Sequence, residues 1–202
     1  MARLVEQRKD LLASMMRDGI YEAAVAVMTR YGMEGTTMDR VAEEAQVAKG
    51  SLYNYFPSKL ELLQFVHDKT IEPMQQRAQE ILAEDMPAPL KLKSLTSEWF
   101  EYLDKHRGLF NFLFNDQVAR ELLLDHKSSG HATAIRDVAA IVRQGIEEGT
   151  FRQLDPTQAA WLLFGALREM IEGQLASSET QPMIDLIEVV MDFVLHGIGT
   201  GK

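Results

Sequence analysis

Lys49-Gly50-Ser51-Leu52-Tyr53-Asn54-Tyr55-Phe56-Pro57-Ser58-Lys59 is the stretch that decides how this chain folds. Residues from about Ala48 to Tyr55 make a helix of two turns that carries Leu52 inward and Lys49, Ser51, Tyr53, Asn54 and Tyr55 elsewhere. Two residues apart on a helix, Tyr53 and Tyr55 lie on different faces, so at least one of them is exposed. Phe56 reads as core. Pro57 and Ser58 then restart the chain: Ser58 with Glu61 three residues on has capping-box spacing, and Leu60, Leu62, Leu63, Phe65 and Val66 carry a fourth helix away from the short one.

Upstream, Leu12, Met15, Met16, Ile20, Ala23, Ala24, Val27 and Met28 recur at intervals of three and four, which predicts one amphipathic helix between Val5 and Tyr31, kinked at Gly19 and stopped by Gly32. Thr36 or Thr37 can cap a second short helix with the apolar stripe Met38, Val41, Ala42 and Ala45, and Gln46-Val47-Ala48 breaks it. Two short helices joined by a three-residue turn and held by a longer one have the geometry of a helix-turn-helix, whose second helix enters the major groove of DNA. The chemistry fits that placement. Lys49 can donate to guanine O6 and N7, Gly50 allows close backbone approach, and Ser51 can reach a base edge or a phosphate. Tyr53, Tyr55, Lys59 and the Thr37 hydroxyl can donate to phosphates.

The run Gly32-Met33-Glu34-Gly35-Thr36-Thr37, followed by Val41 to Leu60 with its Tyr53-x-Tyr55-Phe56-x-x-Lys59 segment, resembles the DNA-binding domain of the TetR/AcrR family of bacterial transcriptional repressors. The resemblance covers about residues 16 to 66. It implies a homodimer on a palindromic double-stranded DNA operator, released when a small-molecule inducer enters the C-terminal domain. It also implies Thr37, Lys49, Gly50, Ser51, Tyr53, Tyr55 and Lys59 as DNA contacts. One position departs from the pattern: where the family usually has Gly in the turn, this chain has Gln46, and a left-handed backbone there costs on the order of 1 kcal/mol.

Charge separates this stretch from the rest. The chain carries 21 Lys plus Arg, 30 Asp plus Glu and a net charge of -9. Its first 60 residues hold eight of each sign, so the whole deficit falls on residues 61 to 202. A neutral part can meet a polyanion over a local patch that an acidic part would repel. With 46% hydrophobic and 25% charged residues and 6 prolines in 202, the composition is that of a helical globular protein. The count of 0 cysteines excludes disulfides, thiolate metal sites and thiol nucleophiles. No apolar run approaches the roughly 18 residues of a membrane span, and a cytoplasmic protein that does not engage membranes is expected.

Downstream, helices are read at about Leu90 to Lys105, Gly108 to Leu124, His131 to Glu148, Thr157 to Ala176 and Pro182 to His196, with Asp155-Pro156 as a strong start signal. The expected architecture is all-α with about nine helices: a helix-turn-helix domain over residues 1–66 and a ligand-binding and dimerisation domain over 67–202. The last helix is apolar on most sides. Its polar residues Asp185, Glu188, Asp192 and His196 form one narrow stripe, so a second protein surface is implied, which in the resembled family is a four-helix dimer interface. Aromatic residues concentrate in two consecutive helices between these parts, and Trp99, Tyr102, Phe110, Phe114, Trp161, Phe164 and Arg168 are the candidate ligand-binding residues. The five histidines are scattered without metal-ligand spacing, so no metal, no cofactor and no catalytic group is expected. The rival reading is a helical dimeric scaffold that does not bind DNA.

Overall fold

The computed structural model describes residues 2–115, 129–177 and 181–199, with side chains for all of these except residues 2–5, 112, 114, 115 and 129. Among the described residues there are nine α-helices and one short 3₁₀ turn at Met183–Leu186. They are α1 (Ala2–Gly35), α2 (Met38–Glu44), α3 (Lys49–Tyr55), α4 (Lys59–Ala83), α5 (Ala88–Lys105), α6 (Arg107–Asn115), α7 (Ser129–Glu147), α8 (Pro156–Ala176) and α9 (Ile187–Ile198). The expected continuation of α6 to Leu124 lies outside the described residues.

The helix ends follow from local chemistry. Inside α1 the one residue with non-helical backbone is Gly32, at φ 66 and ψ -173, so the break falls there and not at Gly19. Glycine takes that conformation without a Cβ clash. The buried Thr36 hydroxyl donates to the Gly32 carbonyl at 2.6 Å, and Thr37 caps α2 by accepting from the Arg40 N–H at 3.2 Å. At the other end of α2, the Val47 N–H reaches the Ala42 carbonyl and the Gln46 N–H reaches the Glu43 carbonyl. This is a Schellman ending, and it requires the left-handed backbone that Gln46 adopts at φ 55. Ser58 caps α4 by accepting from the Glu61 N–H, while its hydroxyl donates to the Glu61 carboxylate. Asp155 caps α8 in the same manner through the Gln158 N–H at 2.8 Å.

Two apolar clusters result. The smaller joins Ile20, Ala24, Val27 and Met28 of α1 to Val41 and Ala42 of α2, Leu52 of α3, Phe56, and Leu62 and Val66 of α4. The larger gathers α5 to α9 around Phe100, Phe151 and Met183, and takes Ala78 and Ile81 from the far end of α4. Helix α4 therefore belongs to both, and at 25 residues it is roughly 37 Å long. The expected domain boundary after residue 66 falls inside it.

Two further ties hold the clusters together. Tyr102 of α5 donates to the Thr70 carbonyl at 2.7 Å, and Tyr21 of α1 meets the Thr70 hydroxyl at 3.2 Å, so one buried residue of α4 links α1 to α5. At the start of α6, Gly108 packs so closely on Thr29 of α1 that a Cβ there would stand 2.9 Å from its methyl group.

Candidate nucleic-acid interface and ligand cavity

Helix α3 buries one side chain, Leu52, and turns the rest of its surface outward. Thr37, Lys49, Gly50, Tyr53 and Asn54 are exposed, and Ser51, Tyr55 and Lys59 are half-buried. The structure thus collects the expected DNA contacts on α3 and at the starts of α2 and α4. Tyr53 stands outside at 40% exposure, whereas Tyr55 leans on the α1–α4 cluster, and Phe56 is core, tilted against Phe65 at 4.8 Å. Gly50 has open space around it among the described residues and no positive φ.

Both lysines have internal partners. Lys49 Nζ sits 2.6 Å from Asp39 Oδ1 on α2, and that hydrogen bond raises its pKa. Lys59 Nζ donates at 2.6 Å to the Met33 carbonyl, beside the broken end of α1. The same carbonyl also accepts from the Thr36 N–H at 3.2 Å, so Lys59 adds a second, charged donor where the helix ends. Lys59 accordingly has a folding role that its position in the motif did not reveal. Neighbouring cations are ordered as well: Arg40 lies 4.6 Å over the Tyr31 ring and donates to the Gly35 carbonyl, and Arg30 pairs with Glu44.

A cavity of about 200 Å³ opens between α4, α5, α6, α7 and α8. Of the expected ligand residues, Trp99, Phe110, Phe164 and Arg168 line it, with Trp99 and His131 each edge-on to Phe164 at 5.8 and 5.0 Å. Two expected residues do not. Trp161 is 62% exposed, because α8 turns that side away from the core, and Tyr102 faces Thr70, its hydroxyl bonded and its pKa pushed up to about 12 by burial. The Phe114 side chain lies outside the described residues. Arg168 donates to Glu172 one turn later on α8. Sequence reasoning missed the α4 wall, where His67, Ile71, Met74 and Gln75 line the cavity, and the buried Asp137 of α7. Their spacing on α4 looks like ordinary helix periodicity, and only packing says which face meets a void.

A third surface is apolar and outward. Trp161 and Leu162 of α8, with Val189 and Phe193 of α9, are each more than three-fifths exposed. Val190, Met191 and Val194 of the same helix point inward. Among the described residues no helix is long and apolar enough to cross a membrane, and no group of three metal-ligating side chains occurs.

Comparison with known proteins agrees with both parts. Residues 20–66 match the family described as bacterial regulatory proteins, tetR family, and residues 125–188 match the tetracyclin repressor-like C-terminal domain. The chain is 30% identical over 150 residues to the HTH-type transcriptional repressor SCO4008 of Streptomyces coelicolor, covering 73% of each protein. In fold it is similar to the Bacillus subtilis transcriptional regulator FadR in complex with stearoyl-CoA, at TM-score 0.79 and 22% identity over 89% of this chain and 98% of that one. It is also similar to SmeT, the repressor of the Stenotrophomonas maltophilia multidrug efflux pump SmeDEF, at TM-score 0.78 and 19% identity over 92% and 91% of the two chains. A reading helix turned outward beneath a hollow helical domain, together with these matches at both ends, places the chain in the TetR family of DNA-binding transcriptional regulators.

Proposed function

We propose that this regulator is a dimeric repressor of a palindromic operator, with residues 1–66 reading DNA and residues 67–202 sensing a small, largely apolar molecule that releases it. One observation carries the reading. Helix α4 packs Leu62 and Val66 beneath the reading helix and, from the next residue onward, presents His67, Ile71 and Met74 to the cavity. A ligand that shifts this wall moves the base on which α3 rests. Two recognition helices must sit about 34 to 36 Å apart to enter successive major grooves, so a few ångströms of change weakens both half-sites together.

In this reading Lys49, Gly50 and Ser51 face base edges, while Thr37, Tyr53, Tyr55 and Lys59 face phosphates. Lys49 leaves Asp39 when it meets DNA, exchanging one acceptor for another. The exposed side chains Trp161, Leu162, Val189 and Phe193 form the dimer seam with a second copy, which would bury them away from water. FadR holds stearoyl-CoA; the cavity here, about 200 Å³, is below the roughly 300 to 1,000 Å³ of drug-sized sites, which favours a smaller ligand.

Selection of binding sequences from a random double-stranded pool tests the reading. The expected result is an inverted repeat whose affinity falls steeply with salt, with Lys49→Ala relaxing base preference at one position of each half-site. Failure of any sequence in the pool to be retained would leave the scaffold reading in its place. Phe193→Asp is expected to give a monomer in sedimentation, and an unchanged dimer would remove the assigned seam.

A further inference from the structure

Beside the larger apolar cluster stands a carboxylate that the described residues satisfy at one oxygen and not at the other. Asp137 of α7 is 7% exposed. Its Oδ1 accepts from Gln79 Nε2 of α4 at 3.0 Å, but its Oδ2 is buried with no hydrogen-bond partner among the described residues. Such an oxygen is unfavourable where it stands, and it becomes favourable when a donor is brought to it. Asp137 lines the cavity, and together with Gln75 it also lines an open groove of about 530 Å³ that runs outside α4 and α7. The two residues therefore form the wall between the groove and the interior. Gly130 of α7 comes so close to Ile71 and Gln75 of α4 that a Cβ there would stand 2.3 Å from the Ile71 side chain, so little side-chain bulk separates the helices at this point.

We propose that the cavity selects ligands whose apolar body carries a hydrogen-bond donor, a hydroxyl or an amine, and that this donor is received by Asp137 Oδ2. The inference rests on the reading of the cavity as the effector site. The rest of the lining is aromatic and aliphatic apart from His67, Gln75, His131 and Arg168, and the Arg168 Nε donates to Glu172, which offsets its charge. An apolar molecule ending in a carboxylate would set a second negative charge against Asp137 and is disfavoured. A site that presents a buried acceptor discriminates strongly between a ligand that donates to it and an isostere that does not. Burial also raises the pKa of Asp137, which is the signature of a carboxyl group short of solvation. The same residue ties the cavity to α4 through Gln79, so a ligand seated on Oδ2 stands one bond away from the helix that carries the reading motif.

Three eight-carbon probes, octan-1-ol, octylamine and octanoate, test this on the full chain by calorimetric titration. Octan-1-ol and octylamine are expected to bind the wild-type protein at least about tenfold more tightly than octanoate, the scale of one hydrogen bond to a charged group. In Asp137→Asn, whose amide can donate where the carboxylate only accepted, this preference is expected to collapse to within about twofold or to invert. Asp137→Leu serves as a second variant that removes the carboxylate and keeps the volume. Ala134→Trp, which fills the cavity, is expected to abolish binding of all three. Octanoate binding as tightly as octan-1-ol to the wild type, or a preference that survives in Asp137→Asn and Asp137→Leu, overturns the role of Asp137. Probes that bind equally well to Ala134→Trp overturn the cavity reading itself, and failure of octan-1-ol and octylamine to bind the wild type overturns the proposed ligand class.

Discussion

The two apolar clusters are built on different principles. That of the DNA-reading part draws its buried residues from Ile20 to Val66, with capped helices and a short turn between them, so its contacts are close in sequence. That of the sensing part draws from Met33 to Val194. It is closed by long-range polar locks: Glu148 of the segment after α7 accepts the Ala88 N–H that opens α5, Gln144 donates to the Met86 carbonyl, and Asp104 accepts the Met183 N–H. The first cluster is closed on itself and supports the outward face of α3. The second leaves a void, an unsatisfied carboxylate and an uncovered apolar face, the features of a part whose energy is lowered by binding something.

The difference gives predictions of graded size. Leu52→Ala removes the one fully buried side chain of α3, and a cavity there is expected to cost about 2 to 5 kcal/mol. Operator binding should be lost while the oligomeric state in sedimentation stays that of the wild type; dissociation or global unfolding would show that the two clusters do not act independently. Lys59→Ala should lower the thermal midpoint as well as the affinity, by about 1 kcal/mol of stability, because the Met33 carbonyl loses its charged donor and keeps only the Thr36 N–H. A salt slope reduced by about one with no change in stability would reduce Lys59 to a phosphate contact alone.

On the sensing side, Glu148→Ala uncaps α5 and should destabilise by about 1 kcal/mol at neutral pH. The Ala88 N–H and then Gln144 hold the Glu148 pKa below its ordinary 4.5. Its contribution is therefore complete above pH 4.5 and disappears as the pH falls through the lowered value, so wild type and variant should converge in acid unfolding below that range. A gap between them that does not depend on pH would point to packing. The smallest effect is a gain: Gln46→Gly relieves a left-handed backbone and should stabilise the reading part by about 0.5 to 1 kcal/mol without changing ligand binding. A loss instead would mean that the Gln46 side chain makes a contact worth more than the strain.

What the sequence by itself determined is the part written in neighbouring residues. The caps Ser58 and Asp155, the Thr36-Thr37 start of α2, the starts of α3 and α4, the turn at Gln46 and the inward Leu52 and Phe56 all follow from residues within a few positions of one another. Hydrogen-bond capping and helical periodicity act over one or two turns, so a single chain read in order is enough. The tertiary structure alone decided which aromatic residues enclose the cavity. Trp161 and Phe164 are three apart and Phe164 and Arg168 four apart, a spacing that puts them near one face, yet Trp161 stands in water while the other two line the void. It also decided that Lys59 reaches the end of α1 from 26 residues away, and that Asp137 keeps one oxygen without a partner among the described residues. Helical spacing gives a stripe about 100° wide, and whether its edge meets a neighbouring helix, a hollow or solvent depends on the placement of helices distant in the chain.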